Sequence, residues 1–201
     1  MILGNTIDVR LDLTLQHVGI YINMIHYFRG ILYMPKHLLI NAVDFVRKLP
    51  KSLTVVGSVS RREPTIGDID MVTTQDLEKI EKMIERKKDL LIRRKIKKGS
   101  LHRQYSIRYG NKTYKLDIWK TTPSRRLFAL IAYGLKKGEN IGLRKRAKEL
   151  GYLLSSTGLT KKGRRVKIRT FEELLERLDI KKRENLSKTM RRILSKAKVS
   201  Y

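Results

Sequence analysis

Gly57-Ser58-Val59-Ser60-Arg61-Arg62-Glu63-Pro64-Thr65-Ile66-Gly67-Asp68-Ile69-Asp70 is the stretch on which the fold of this chain turns. Leu53-Thr54-Val55-Val56 ahead of it reads as a strand, Gly57-Ser58 as a tight turn, and residues 69–73 as a second strand after a loop. Asp68 and Asp70 are two apart. On a strand, residues i and i+2 project from one face, with Cα atoms roughly 6.5 Å apart. Two carboxylates projecting together from a strand end suit a pair of hard divalent cations, the requirement for two-metal phosphoryl or nucleotidyl transfer.

These acids sit in a strongly basic protein. The 201 residues include 46 Lys and Arg against 19 Asp and Glu, a formal charge of +27. Such a balance points to a polyanionic partner, nucleic acid ahead of an anionic membrane. An apolar fraction of 41% supports a packed core, and the length suits one domain or two small ones. Without cysteine there is no disulfide framework and no thiolate metal site, which permits a reducing compartment. No run of about 18 apolar residues occurs, so no membrane span is expected. The N-terminus lacks the basic start and small-residue cleavage site of a signal peptide.

Residues 1–34 form an N-terminal extension of unassigned role. Ile7, Val9, Leu11 and Leu13 alternate there as in a short strand, and residues 20–28 are apolar and aromatic. Pro35 opens a helix whose apolar face is Leu38, Leu39, Ala42, Val43 and Val46, and Pro50 stops it. A helix is expected over 77–88 and a strand over 90–96. Residues 103–109 and 113–119 alternate around Gly110-Asn111, the signature of a β-hairpin. Helices follow over 124–136 and over 139–150, the second closed by Gly151, and a short one over 171–178. From Lys181 the chain is polar and basic. This order predicts an α+β fold: a mixed sheet with helices on one face over 35–122, and a smaller helical and β subdomain over 123–201.

Asp117 is a third candidate acid. It lies in the strand Tyr114-Lys115-Leu116-Asp117-Ile118-Trp119, where a lone carboxylate is disfavoured unless solvated or paired. An edge-strand acid paired to a lysine is one reading. Beside Asp68 and Asp70, the other is a third ligand for the metal that activates an attacking hydroxyl, able to help take its proton. Gly57-Ser58 at a strand end offers backbone N–H groups and a hydroxyl to a triphosphate. Arg61 offers a charge-assisted bond to a terminal phosphate.

The run Val56 to Asp70 resembles the nucleotidyltransferase signature as family X DNA polymerases write it, with the double arginine after Gly-Ser and the Gly-Asp-x-Asp. A second match lies at Asn140-Ile141-Gly142-Leu143-Arg144, Ala147, Gly151-Tyr152, Leu154 and Gly158-Leu159, similar to the family's nucleotide-binding helix and the segment after it. The resemblance covers roughly residues 36–180. It implies that Asp68 and Asp70 bind two Mg2+ ions, for which Mn2+ can substitute, and that Asp117 binds the catalytic one. Gly57, Ser58 and Arg61 would hold the β and γ phosphates, Asn140 the incoming base or sugar, and Tyr133 the sugar. Arg144, with Lys148 one turn on, would contact DNA. The family's aromatic pair followed by Thr-Gly falls here on Ala132, Tyr133, Gly134 and Leu135, so Tyr133 alone keeps an aromatic ring. Residues 1–34 are too short for the helix-hairpin-helix modules and lyase domain that family members carry upstream, as in the minimal polymerases of large DNA viruses. The sequence does not assign a location; an intracellular site, such as a viral replication compartment or the virion, is compatible with that likeness.

The resulting expectation is a monomeric DNA-directed DNA polymerase that adds dNTPs to the primer 3′ end of primer-template or gapped DNA, filling short gaps in repair, as in base excision repair. The 3′ hydroxyl attacks the α-phosphate and pyrophosphate leaves. A template-independent or RNA-directed terminal nucleotidyltransferase is the alternative enzyme. A catalytically idle basic DNA-binding module is the alternative outside enzymes, and it gives no reason to cluster carboxylates beside DNA.

Overall fold

The computed structural model describes residues 36–180, which belong to one compact unit. The strand expected at 7–13, the apolar stretch 20–28, Pro35 and the basic segment from Lys181 lie outside the described residues. In chain order the elements are β1 (His37–Leu38), α1 (Leu39–Lys48), β2 (Thr54–Val55), the one-turn α2 (Gly57–Ser60), β3 (Thr65–Ile66), β4 (Ile69–Thr73), α3 (Leu77–Glu85), β5 (Leu90–Lys98), β6 (His102–Tyr109) and β7 (Lys112–Lys120). A 3-10 turn at Pro123–Arg125 leads to α4 (Arg126–Gly134), α5 (Lys137–Glu149), β8 (Tyr152–Ser155), β9 (Gly158–Lys161), β10 (Arg164–Val166) and α6 (Phe171–Arg177).

Five strands form a mixed sheet in the order β2-β4-β7-β6-β5. β4 and β7 run parallel, and the other neighbours run antiparallel. The β6–β7 hairpin turns at Gly110-Asn111, with Tyr109 paired to Lys112 and Gly110 at φ +58°. A two-residue hairpin loop needs positive φ in its first position, which glycine adopts without strain.

Period-two alternation sorts the sheet into two faces. Ile69 and Met71 of β4, Tyr105 and Ile107 of β6, and Leu116 and Ile118 of β7 enter a core shared with Ala42 and Phe45 of α1 and Leu77, Ile80 and Ile84 of α3. Phe45 stacks on Tyr114 at 4.4 Å. Removing such a ring from a packed core costs about 3–5 kcal/mol. The intervening residues face the other way: Asp70 and Val72, His102 and Gln104, Lys115, Asp117 and Trp119. Val56 and Val72 join a second cluster built from α4, α5, β8, β9 and α6, against which Trp119 packs. The apolar residues thus form two clusters, one centred on the sheet and one on residues 127–178.

Several boundaries differ from those read in the sequence; the helix expected over 124–136 spans Arg126–Gly134, behind the 3-10 turn. α1 begins at Leu39 because His37–Leu38 pairs with Thr65–Ile66 instead, and His37 Nε2 meets the Thr113 carbonyl at 2.8 Å. Leu38 is consequently 61% exposed and not part of the apolar face. α3 ends at Glu85, three residues early; its N-terminus is capped by Asp76, which accepts from the Glu78 N–H at 2.9 Å. α5 begins at Lys137, where Glu139 accepts from the Lys136 N–H at 2.9 Å. It closes at Gly151, φ +75°, as expected. Among the described residues, no helix is long and apolar enough to cross a membrane.

Candidate active site

Asp70 and Asp117 are register partners across the parallel β4–β7 pair. Neighbouring strands lie about 4.8 Å apart, so both side chains leave the same face of the sheet side by side. Asp68 precedes β4 by one residue. Asp117 is buried, Asp70 is half-buried, and the Asp68 side chain is 45% exposed. The crowding leaves an electrostatic mark. Burial, and then the charges of Asp68 and Asp117, push the Asp70 carboxyl up to about 7, against a smaller opposing pull from Arg61 and Lys115.

Asp117 is held by its neighbours on β6. Its Oδ1 accepts from His102 Nε2 and from Gln104 Nε2, both at 2.7 Å. Its Oδ2 lies 3.8 Å from the Lys115 ammonium, which is also 3.7 Å from Asp68 Oδ2. The sequence reading missed His102, Gln104 and Lys115. The signal was present: once the hairpin turns at Gly110-Asn111, its register sets Gln104 opposite Asp117 and His102 opposite Trp119.

Beside the acids lies an open cavity of about 470 Å3. Gly57, Arg61 and Asp70 line its sheet side, and Ala132, Tyr133, Leu135, Asn140, Ile141 and Arg144 line the side built by α4 and α5. Five of the residues singled out in the sequence (Gly57, Arg61, Tyr133, Asn140 and Arg144) therefore converge on one space next to Asp70. Ser58 and Lys148 do not line it. The Ser58 hydroxyl donates to the Asp68 carbonyl at 3.4 Å, bracing the loop ahead of the acids. Lys148 is exposed on α5.

Arg61 and Asn140 also have structural work. Arg61 Nε donates to Glu63 at 2.8 Å, and its Nη1 donates to the carbonyls of Gly134 at 2.9 Å and Leu135 at 3.3 Å. The arginine so ties the loop ahead of β4 to the end of α4. The Asn140 amide donates to the Ala132 carbonyl at 2.6 Å, satisfying a carbonyl that the end of α4 leaves without a helical partner. Tyr133 stacks on Trp119, which stacks on His102.

Gly57 is the narrowest point. Instead of a simple turn, Gly57–Ser60 forms one turn of helix. Gly57 has φ +63°, and a Cβ built on it would lie 2.3 Å from Asp70 Oδ2. The backbone can pass this close to the carboxylate only without a side chain.

Among the described residues, no three His, Cys, Asp or Glu side chains are gathered closely enough to hold a metal ion as they stand. The chemistry of the donors nevertheless suits a hard divalent cation. All three candidates are carboxylates, and Asp70 is disfavoured as an anion by burial and then by the other two, a condition that a cation relieves. The Lys115 ammonium supplies a positive charge between Asp68 and Asp117.

No family model and no curated protein matches the sequence. Solved structures do match the fold. Leishmania infantum polymerase beta in a ternary P/T complex superposes with a TM-score of 0.64 at 18% identity, over 79% of this chain and 77% of that one. The same polymerase in a ternary gap complex gives 0.64 and 18%, over 79% and 71%. The fold is that of polymerase beta. At this identity the likeness speaks for the polymerase beta architecture alone.

Proposed function

We propose that this chain is a DNA polymerase of the family X type, transferring nucleotides from dNTPs to the 3′ end of primed or gapped DNA. The observation that carries the reading is the register of Asp70 against Asp117, beside a cavity lined by Gly57, Arg61, Tyr133, Asn140 and Arg144. Likeness in fold to a polymerase beta described in P/T and gap complexes supports primed and gapped DNA as substrates. The charge of +27 supports a polyanion. The likeness to minimal viral polymerases, and a role in short-gap repair, are part of the proposal and rest on the sequence motifs.

In this reading Asp68, Asp70 and Asp117 hold two divalent ions. When bound, these would supply Lewis-acid activation of the primer hydroxyl and neutralise the charge on the phosphates. The chain's own groups do the rest. Asp117, desolvated and fixed by His102 and Gln104, is placed to help take the proton of the 3′ hydroxyl as it attacks the α-phosphate. The Gly57 turn brings backbone N–H groups to the phosphates, and Arg61 offers its guanidinium to the β and γ phosphates. Tyr133 and Ala132 form the wall beside the sugar, and Asn140 and Arg144 meet the base and the template strand. Positioning and electrostatics dominate such a transfer, because the protein has little covalent chemistry to perform.

A primer-extension panel tests the reading: single-stranded, primed and one-nucleotide-gapped DNA, each with one dNTP or rNTP at a time. Addition of only the complementary dNTP to primed or gapped DNA is expected. Addition without regard to template would replace the proposal with a terminal nucleotidyltransferase, and no addition to any substrate would leave a binding module.

A further inference from the structure

Trp119, the one tryptophan of the chain, is stacked twice. The His102 ring lies 3.7 Å from it at an interplanar angle of 1°, and the Tyr133 ring 4.3 Å from it at 15°. Two rings so close and so nearly parallel to one indole must occupy its opposite faces, since on one face they would overlap. The result is a three-ring sandwich. One outer ring, Tyr133, lines the cavity. The other, His102, donates to Asp117 Oδ1 at 2.7 Å.

What fixes these rings is unusual. A histidine that orients a ligand is ordinarily anchored through its second nitrogen. Here His102 Nδ1 is buried without a hydrogen-bond partner, and so is Trp119 Nε1. The imidazole is held by Asp117 at one atom and by the indole across its face, and the indole, with no hydrogen bond at Nε1, is held by the two stacked rings and the apolar cluster it packs against. The orientation of His102 thus depends on Trp119, and that of Trp119 on Tyr133. Asp117 in turn has both donors on one oxygen, which leaves Oδ2 as the atom turned toward Lys115 and available to a cation.

We propose that His102 is a positioning residue for Asp117, and that the His102–Trp119–Tyr133 stack couples the orientation of this carboxylate to occupancy of the nucleotide cavity. The inference rests on the nucleotidyl-transfer reading of the same site. A nucleotide seated against Tyr133 presses on the outer ring of the stack, and the shift reaches the carboxylate through two ring faces and one hydrogen bond. Binding of the correct nucleotide then sharpens the site that acts on it.

The test uses the full chain and two readouts. Trp119 is the sole indole, so its emission reports the stack directly. With gapped DNA carrying a dideoxy-terminated primer, so that no chemistry occurs, the complementary dNTP should change Trp119 emission saturably. Tyr133→Leu should abolish the change. In extension assays, His102→Phe keeps an aromatic ring on the indole but removes the donor. It should lower kcat by about 10–100-fold, with KM for dNTP within about threefold, and it should raise the Mg2+ concentration needed for half-maximal rate. His102→Gln restores a donor and should recover a substantial part of the rate. Thermal unfolding of each variant confirms that it is folded. If His102→Phe lost the rate and His102→Gln did not regain any of it, the effect would be one of packing and the positioning role would fail. A wild-type rate in His102→Phe, or Trp119 emission indifferent to dNTP in the wild-type ternary complex, would also overturn the inference while leaving the polymerase reading intact. Failure of the wild type to extend any DNA would overturn the polymerase reading itself, and the inference with it.

Discussion

A Cβ added to Gly57 would stand 2.3 Å from Oδ2 of Asp70. The left-handed backbone of Gly57, φ +63°, adds a second obstacle to any side chain, worth about 1–2 kcal/mol by itself. Gly57→Ala therefore has to move Asp70 or unwind α2. We expect a fall in Tm of about 3–6 °C and a loss of primer extension larger than that stability change explains. Differential scanning calorimetry and single-turnover extension at a temperature where the variant is folded measure the two effects. Normal extension by Gly57→Ala would show that the turn does not hold Asp70 in its working position.

Asp70 gives the metal-free protein a pH dependence of defined sign. Its carboxyl is raised from an ordinary 3.8 to about 7 by burial and by Asp68 and Asp117. The unfolded chain releases this proton near pH 4 and the folded chain near pH 7, so this group costs stability progressively as pH rises between the two. Asp70→Asn removes the cost. In EDTA, the urea midpoint of the wild type relative to Asp70→Asn should fall between pH 5 and pH 8. Added Mg2+ should reduce the gap, because a cation favours the ionised form. An identical pH profile for the two proteins would show that neither burial nor the other acids raises the Asp70 carboxyl.

Arg61 is expected to act twice. Through Gly134 and Leu135 it fixes the loop to the end of α4, and through its place in the cavity wall it meets the triphosphate. Arg61→Ala should lower Tm by a few degrees and raise KM for dNTP by about tenfold or more, since hydrogen bonds to a charged group are worth about 1.5–3 kcal/mol. Arg61→Lys keeps the charge but loses the planar fork that reaches two carbonyls, so it should recover KM better than Tm. Equal recovery of both would mean that a point charge suffices for each task.

Much of this architecture was legible because alternation in strands is strict. Asp68-Ile69-Asp70 and Leu116-Asp117-Ile118 show which side chains share a face, and Gly110-Asn111 sets the hairpin register. What was hidden is of two kinds. Which partners a polar side chain takes within the protein depends on tertiary contacts: the Ser58 hydroxyl bonds the Asp68 carbonyl, and the Asn140 amide the carbonyl of Ala132. Local propensity also gave way to long-range pairing at His37–Leu38, which reads as helix but pairs with β3. His102 escaped notice because a lone histidine on a strand carries no motif, and its meaning appears only when β6 lies beside β7.

Under the proposed function, sugar choice should be set at the cavity wall of residues 132–135. Ala132 and Tyr133 both line the cavity, and one face of Tyr133 is covered by Trp119. A methyl group stands at Ala132 where the first ring of an aromatic pair would crowd the ribose, and Tyr133 alone remains, so steric rejection of a 2′ hydroxyl should be weak, because a permissive pocket rejects an added hydroxyl poorly. The dNTP-to-rNTP ratio of kcat/KM should be modest in the wild type and should change in Tyr133→Ala. A ratio of many thousands would show that another group guards the 2′ position.

The most direct test of the central claim is single-turnover extension of one-nucleotide-gapped DNA by the wild type and by Asp68→Asn, Asp70→Asn and Asp117→Asn, with DNA affinity measured alongside. The wild type should add one complementary nucleotide with release of one pyrophosphate. Each variant should be slower by on the order of a thousandfold, about 4 kcal/mol of barrier, while its DNA Kd stays unchanged or tightens, since removing a carboxylate lowers repulsion toward phosphate. Near-normal extension by any of the three would contradict the assignment of that residue, and near-normal extension by all three would contradict the account.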